Sequence, residues 1–250
     1  RDIVIRNTLP GDLSDGMNLI LRASMEDVRV YVDGMLRAEY SSETIRSRVY
    51  YLPSAYVVVT LNAADSGKEI RIEITVKRSG VINGISYGNG EDAWYDIVIG
   101  SIPVAVISFV VLILGLFLIF AIIFSRTTSK TRASLYLGLL MVDVALWMIS
   151  ESMLRQFFFR RPSLSGYFSY LTVEIISVLA CMFFDEVQHR QYHRIYLIDE
   201  CVGLMILMVN SILDFSDICG FFRTLTVSHI WSGICAIELI IFIIMDIRSR

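Results

Sequence analysis

A chain of 250 residues has room for two units, and 55% hydrophobic against 19% charged residues points to several membrane spans. The charge is nearly even, 25 acids against 22 bases and net −3, which excludes a strongly basic nucleic-acid binder. Residues 1–96 hold 14 acids and 11 bases, while residues 97–250 hold 11 of each, clustered mostly where apolar runs end.

The first 95 residues read as short strands. Ile3–Ile5 opens, and Met17–Ala23 follows. In Val28–Leu36 the valines at 28, 30 and 32 alternate with Arg29 and Tyr31, so one face points inward. Asp33-Gly34 suits a two-residue type I′ turn, because glycine tolerates positive φ. Arg48–Leu52 and Tyr56–Leu61 come next, then Glu69–Lys77 with Ile70, Ile72, Ile74 and Val76 on one face. Asp65–Lys68 is turn chemistry, and Gly80, Gly84, Gly88 and Gly90 predict a loop-rich exit. Regular short strands without a helix of normal length predict a jelly-roll-like β-sandwich over residues 1–95.

Residues 96–250 predict an all-α transmembrane bundle, giving an α+β multidomain class. Ile97–Phe124 is uncharged and longer than the ~20 residues that cross a ~30 Å hydrocarbon core. Trp94 and Tyr95 precede it, where amphipathic rings favour the headgroup level. Further spans are expected at about 133–154, 167–184, 195–213 and 225–245, joined by short loops. Basic residues set the orientation. With the β-domain outside, the inner segments hold Arg126, Lys130, Arg132, Arg190, Arg194, Arg248 and Arg250. The outer loops then hold Arg155, Arg160, Arg161 and Arg223. This places the N-terminal domain outside a plasma membrane and the C-terminus in the cytoplasm. The chain starts at Arg1 and stops just past an apolar run, which reads as the front part of a longer protein.

Carboxylates inside the spans are expensive, about 2.5–3.5 kcal/mol each at mid-membrane on an insertion scale. Asp143, Glu151, Glu174, Asp199 and Glu238 fall there, and Asp143, Trp147 and Glu151 share one helix face. Three roles stay open for them: hydrogen-bond glue between helices, a polar seam that biases packing during signalling, or an ion path. Asp185, His189 and His193 also recur every four residues, but without a third strong ligand they read as a solvated loop face. His229 reads as a packed or capping histidine. Cys181, Cys201, Cys219 and Cys235 show no zinc spacing and read as small apolar residues within helices. No metal or cofactor is expected.

Phosphate-loop, nucleophile-elbow, zincin and dinucleotide motifs are all absent. All three histidines follow residue 185, so a Ser-His pair within the β-domain is excluded. Tyr31, Tyr40, Tyr50 and Tyr51 are the candidate ligand residues there. Tyr31 should face solvent if the neighbouring valines are core, and exposed rings of this kind suit a sugar.

Ala145–Ser152 (Ala-Leu-Trp-Met-Ile-Ser-Glu-Ser) resembles the second span of bacterial seven-transmembrane receptors with diverse intracellular signalling modules. Leu213-Asp-Phe-Ser-Asp217, followed by His229, is similar to their fourth-to-fifth span junction. Val28–Gly34 and Ser66–Ile72 resemble their outer jelly-roll domain. The resemblance is closest to clostridial members that end in a GGDEF-type diguanylate cyclase. It implies two further spans and a cytoplasmic output domain after Arg250, through which the protein would form a homodimer. Any cyclic-di-GMP synthesis would belong to that domain, since no catalytic site lies in this chain. The expected function is therefore the receptor half of a signalling protein in the lipid bilayer. Its signal would be a small molecule, of which a carbohydrate is one candidate. A histidine-kinase sensor, a membrane-anchored binding module and a small-solute transporter are the alternatives.

Overall fold

The computed structural model describes residues 2–24, 26–41, 53–75, 83–124, 131–159, 162–216 and 218–249. Two compact units emerge, Arg1–Pro103 with Met153–Gly166, and Val104–Ser152 with Tyr167–Arg250.

The first unit holds strands β1 (Asp2–Thr8), β2 (Met17–Ala23), β3 (Asp27–Val32), β4 (Met35–Tyr40), β5 (Ala55–Leu61), β6 (Glu69–Thr75) and β7 (Ile85–Asn89). They form two antiparallel sheets in the orders β1-β6-β3-β4 and β5-β2-β7. Alternation drives both sheets. Val28, Val30 and Val32 are buried from β3, as are Ile70, Ile72 and Ile74 from β6. They share a core with Leu19 and Leu21 of β2 and Val57, Val59 and Leu61 of β5. Each such side chain contributes about 1.5–3 kcal/mol when fully withdrawn from water, an upper bound for a compact unfolded chain. At the β3–β4 hairpin Asp33 and Gly34 have φ of 51° and 75°, as a type I′ turn demands.

Before β6 a short 3₁₀ turn, Ala63–Asp65, buries the Asp65 carboxyl. Burial alone would raise its pKa. The Asn62 N–H at 3.1 Å, Arg37 at 2.8 Å and Lys68 at 3.4 Å outweigh that and hold it below the ordinary value.

One expectation fails here. The glycine-rich stretch predicted as a loop-rich exit contains strand β7, which pairs with β2 from Ile85 to Asn89. Ile85 and Tyr87 are 40% and 42% exposed, so backbone bonds rather than a buried face hold this edge strand. The predicted strand Arg48–Leu52 lies outside the described residues.

The helices are α1 (Gly90–Phe124), α2 (Thr131–Glu151), α3 (Arg155–Phe158), α4 (Pro162–Val187), α5 (His193–Phe215) and α6 (Phe221–Ser249). Among the described residues five are long and apolar enough to cross a membrane, over Ile97–Phe124, Arg132–Glu151, Leu164–Val187, His193–Phe215 and Arg223–Arg248. Helix α1 starts before the predicted span, at Gly90, inside the stretch expected to be all β. At 1.5 Å per residue its 35 residues exceed the hydrocarbon core, so its ends reach beyond it. Helices α1 and α2 touch at two glycines. A Cβ on Gly115 would come 2.9 Å from the Gly138 carbonyl, and one on Gly138 would come 2.9 Å from Ile119. Small residues permit such close crossings where lipid gives helices no hydrophobic reason to associate.

Candidate functional site

On α4 the spacing of Glu174, Ser177, Cys181 and Asp185 repeats every three or four residues, so all four lie on one face, and Gln188 follows just past the helix end. This face meets α5 and α6, and its polar groups are met by polar groups. The Asn210 amide of α5 donates to Glu174 Oε1 at 2.6 Å, and Ser228 Oγ of α6 donates to the same oxygen at 2.5 Å. Asn210 also donates to Ser228 Oγ at 3.0 Å, closing a triangle across three helices. Further along, Ser177 and Ser232 hydroxyls are 2.6 Å apart. Tyr196 donates to Gln188 at 2.8 Å, and His193 Nδ1 pairs with Asp185 at 2.7 Å. Between these, Asp199 and Glu238 stand side by side, close to Cys181 and Cys235. Asp214 accepts the Phe221 N–H at 2.9 Å and so caps the start of α6.

The arrangement is not saturated. Among the described residues Glu174 Oε2, Asp185 Oδ1 and Asp214 Oδ2 are buried without a hydrogen-bond partner, and Asp199 Oδ2 and Glu238 Oε2 have none beyond each other's carboxyl. Leaving such an atom unpaired costs about 1–3 kcal/mol, so each is a seat for a proton, a water or an ion.

Three of the predicted carboxylates, Glu174, Asp199 and Glu238, thus face the α4–α5–α6 interior. The α2 set is spread out instead. Asp143 is buried with Oδ2 unpartnered, Trp147 is half-buried, and Glu151 is exposed while accepting the Ser169 hydroxyl. Asp185 is buried and paired with His193 rather than lying on a solvated loop face. A loop reading fails because α4 continues to Val187, past the predicted end of its span. His189 is exposed at φ 53°. His229 is exposed on α6, not packed or capping, because it points off the buried Thr224–Ser228 stripe.

In the β unit Tyr31 sits on the outer face opposite Arg71, whose guanidinium stacks 4.3 Å from the ring centroid. The Tyr40 hydroxyl donates to the Pro53 carbonyl at 2.5 Å. Tyr50 and Tyr51 lie outside the described residues.

Arg155 and Gln156, which sequence reading counted only as loop, make the least expected contacts. The Tyr56 N–H of β5 donates to Gln156 Oε1 at 3.1 Å, and Gln156 Nε2 donates back to the Tyr56 carbonyl at 3.2 Å. Arg155, 5% exposed, donates to the Ser54 carbonyl. Thus the segment that returns from the second span grips the strand that precedes the first. The partners of Glu174 were also missed. Asn210, a buried amide within an apolar run, was the available signal.

No family model, curated protein or solved structure matches the chain.

Proposed function

We propose that this chain is the receptor half of a membrane signalling protein, in which an outer β-domain biases the packing of the helices. The observation that carries the reading is the grip of Arg155 and Gln156 on β5. Two membrane crossings return the chain to the side it left, so the β-domain and the α2–α4 connection share one compartment. A shift of β5 on ligand binding would pull directly on the ends of α2 and α4. Helix α4 carries the Glu174 triangle, whose free Oε2 gives the network an alternative arrangement. Packed helices with two such arrangements are the elements that respond to a ligand at a distance.

The β-domain is a jelly roll in this reading. Its strands pair β1 with β6, β2 with β5 and β3 with β4, the nesting of one long hairpin rolled up. It lies outside the cell, with the basic Arg126–Arg132 segment inside. A carbohydrate-class ligand stacks on the outer face around Tyr31, and the output is a cytoplasmic enzyme domain of the diguanylate-cyclase class.

Ligand-free chemistry tests the coupling. Val59→Ala removes a buried β5 side chain and loosens that strand. Hydrogen exchange of α4 amides near Glu174 should then rise, and adding Arg155→Ala with Gln156→Ala should abolish the rise. Unchanged α4 exchange would leave a binding module that is merely anchored. Orientation is tested by impermeant thiol labelling of Ser66→Cys and Ser129→Cys in a background lacking native cysteines. Labelling at 129 and not at 66 on intact cells would reverse it. NMR titration with a glycan panel at millimolar concentration tests the ligand, and no shift at Tyr31 discards the sugar.

A further inference from the structure

We infer that Cys181 of α4, Asp199 of α5 and Cys235 of α6, completed by Glu238, form a binding site for a divalent cation of the zinc class. The two sulfurs and an Asp199 oxygen all lie within 4.8 Å of one another. Around a tetrahedral zinc with ordinary Zn–S and Zn–O bonds, such atoms stand about 3.5–3.8 Å apart, so small side-chain rotations close the site. Glu238 follows Cys235 by three residues on α6 and places its carboxyl beside that of Asp199. The Asp199 and Glu238 carboxyls hydrogen-bond to each other, and among the described residues Asp199 Oδ2 and Glu238 Oε2 have no further partner.

Burial makes these donors more than a chance meeting. Cys181, Asp199 and Cys235 are 1%, 5% and 3% exposed. Tyr196 and Phe242 are buried with the two cysteines and Trp231 packs against them, while Glu238 is half-buried. Two basic groups at this end of the helices are engaged by other carboxylates, Arg190 by Glu186 and His193 by Asp185. Two thiols and two carboxyls drawn together beside apolar rings suit a cation, and a metal supplies two charges at one point.

Donor type then selects the metal. Magnesium and calcium take six or more oxygens, which two sulfurs exclude. Copper(I) takes thiolates and thioethers and gains little from two carboxylates. A tetrahedral ion of borderline softness accepts both donor kinds, and four protein ligands leave it no open position, as in structural zinc sites. Bound there, the ion ties three helices through bonds far stronger than the hydrogen bonds around Glu174. Local spacing hides the site, because each sulfur sits on a different helix.

Cobalt(II) is the direct probe. The full chain, purified in detergent with reductant and stripped with chelator, is titrated with cobalt(II) and then with zinc(II). One equivalent should bind, giving a thiolate-to-cobalt charge-transfer band and tetrahedral visible bands that zinc erases. Cys181→Ser with Cys235→Ser should abolish the charge-transfer band. Asp199→Asn should weaken binding by about tenfold or more. Cys201→Ser with Cys219→Ser should change nothing, since neither residue belongs to the cluster. The wild-type band needs no variant, because its intensity counts thiolates, so a poorly folding mutant leaves the test intact. Absence of the band in wild type overturns the assignment. So does its survival without Cys181 and Cys235, or a Cys181–Cys235 disulfide in protein isolated under alkylating conditions.

Discussion

The two units differ in how many polar residues they bury and in how many apolar ones they leave exposed. In the β unit the least exposed side chains are Val28, Val30, Val59 and Leu61. The helical unit buries Asp214, Glu174, Asp199, Asn210 and Ser228 beside Tyr196 and Phe221, while Phe117, Ile123, Met208 and Ile237 stay exposed. One unit is built against water and gains stability from apolar area withdrawn from it. The other is built against lipid, where an exposed isoleucine costs nothing and helices associate through close packing and polar contacts. The difference teaches that one substitution rule cannot serve both halves.

Val30→Asp should give the largest effect, because it sets a charge among fully buried aliphatics and costs about 3 kcal/mol or more. Hydrogen exchange should show β3 and β6 amides unprotected, while the α5 and α6 amides keep their protection. Loss of protection in both units would make the chain one cooperative block. Next comes Gly138→Leu, which forces α1 from α2 and should cost about 1–3 kcal/mol. Denaturation in mixed detergent micelles should register it, with the β unit unaffected.

Asp65→Asn should cost the β unit about 1–3 kcal/mol, since Arg37 and Lys68 lose their charged partner. The sign with pH follows from a folded pKa below the unfolded one. This contribution is complete above the unfolded value and disappears as pH falls through the folded value. An acid titration of β-unit melting should lose that step in Asp65→Asn. The smallest effect is expected for Glu174→Leu, about 0.6 kcal/mol and under ~2, because Asn210 and Ser228 still bond each other. A loss as large as that of Val30→Asp would erase the contrast between the units.

Period-2 and long apolar patterns were readable in the sequence wherever one solvent dictated them. The β2, β3 and β6 strands and the five apolar helices follow their predicted spans closely, since each has a single buried face or an unbroken run. Strand β7 was not readable, because Gly88 and half-exposed Ile85 and Tyr87 leave little alternation to detect. In the candidate site, a carboxylate in an apolar run announces itself, so Glu174, Asp199 and Glu238 stood out. Their partners did not. Asn210, Ser228 and the two buried cysteines gain meaning only when three helices meet, which local spacing does not encode. The same holds for Gln156, whose role depends on a strand 100 residues earlier.

The Gln156 amide presents one acceptor and one donor to Tyr56, as a neighbouring strand's backbone would. Among the described residues strand β5 ends its sheet, and an end strand with open amides and carbonyls invites another chain to pair with it. A single side chain thus occupies one rung of that open ladder, and Arg155 takes the Ser54 carbonyl beside it. Self-association is thereby discouraged by residues that belong, in sequence, to the membrane half. A β unit made without Met153–Gly166 would lack these two side chains on its edge and should be the more prone to stack on its own copies.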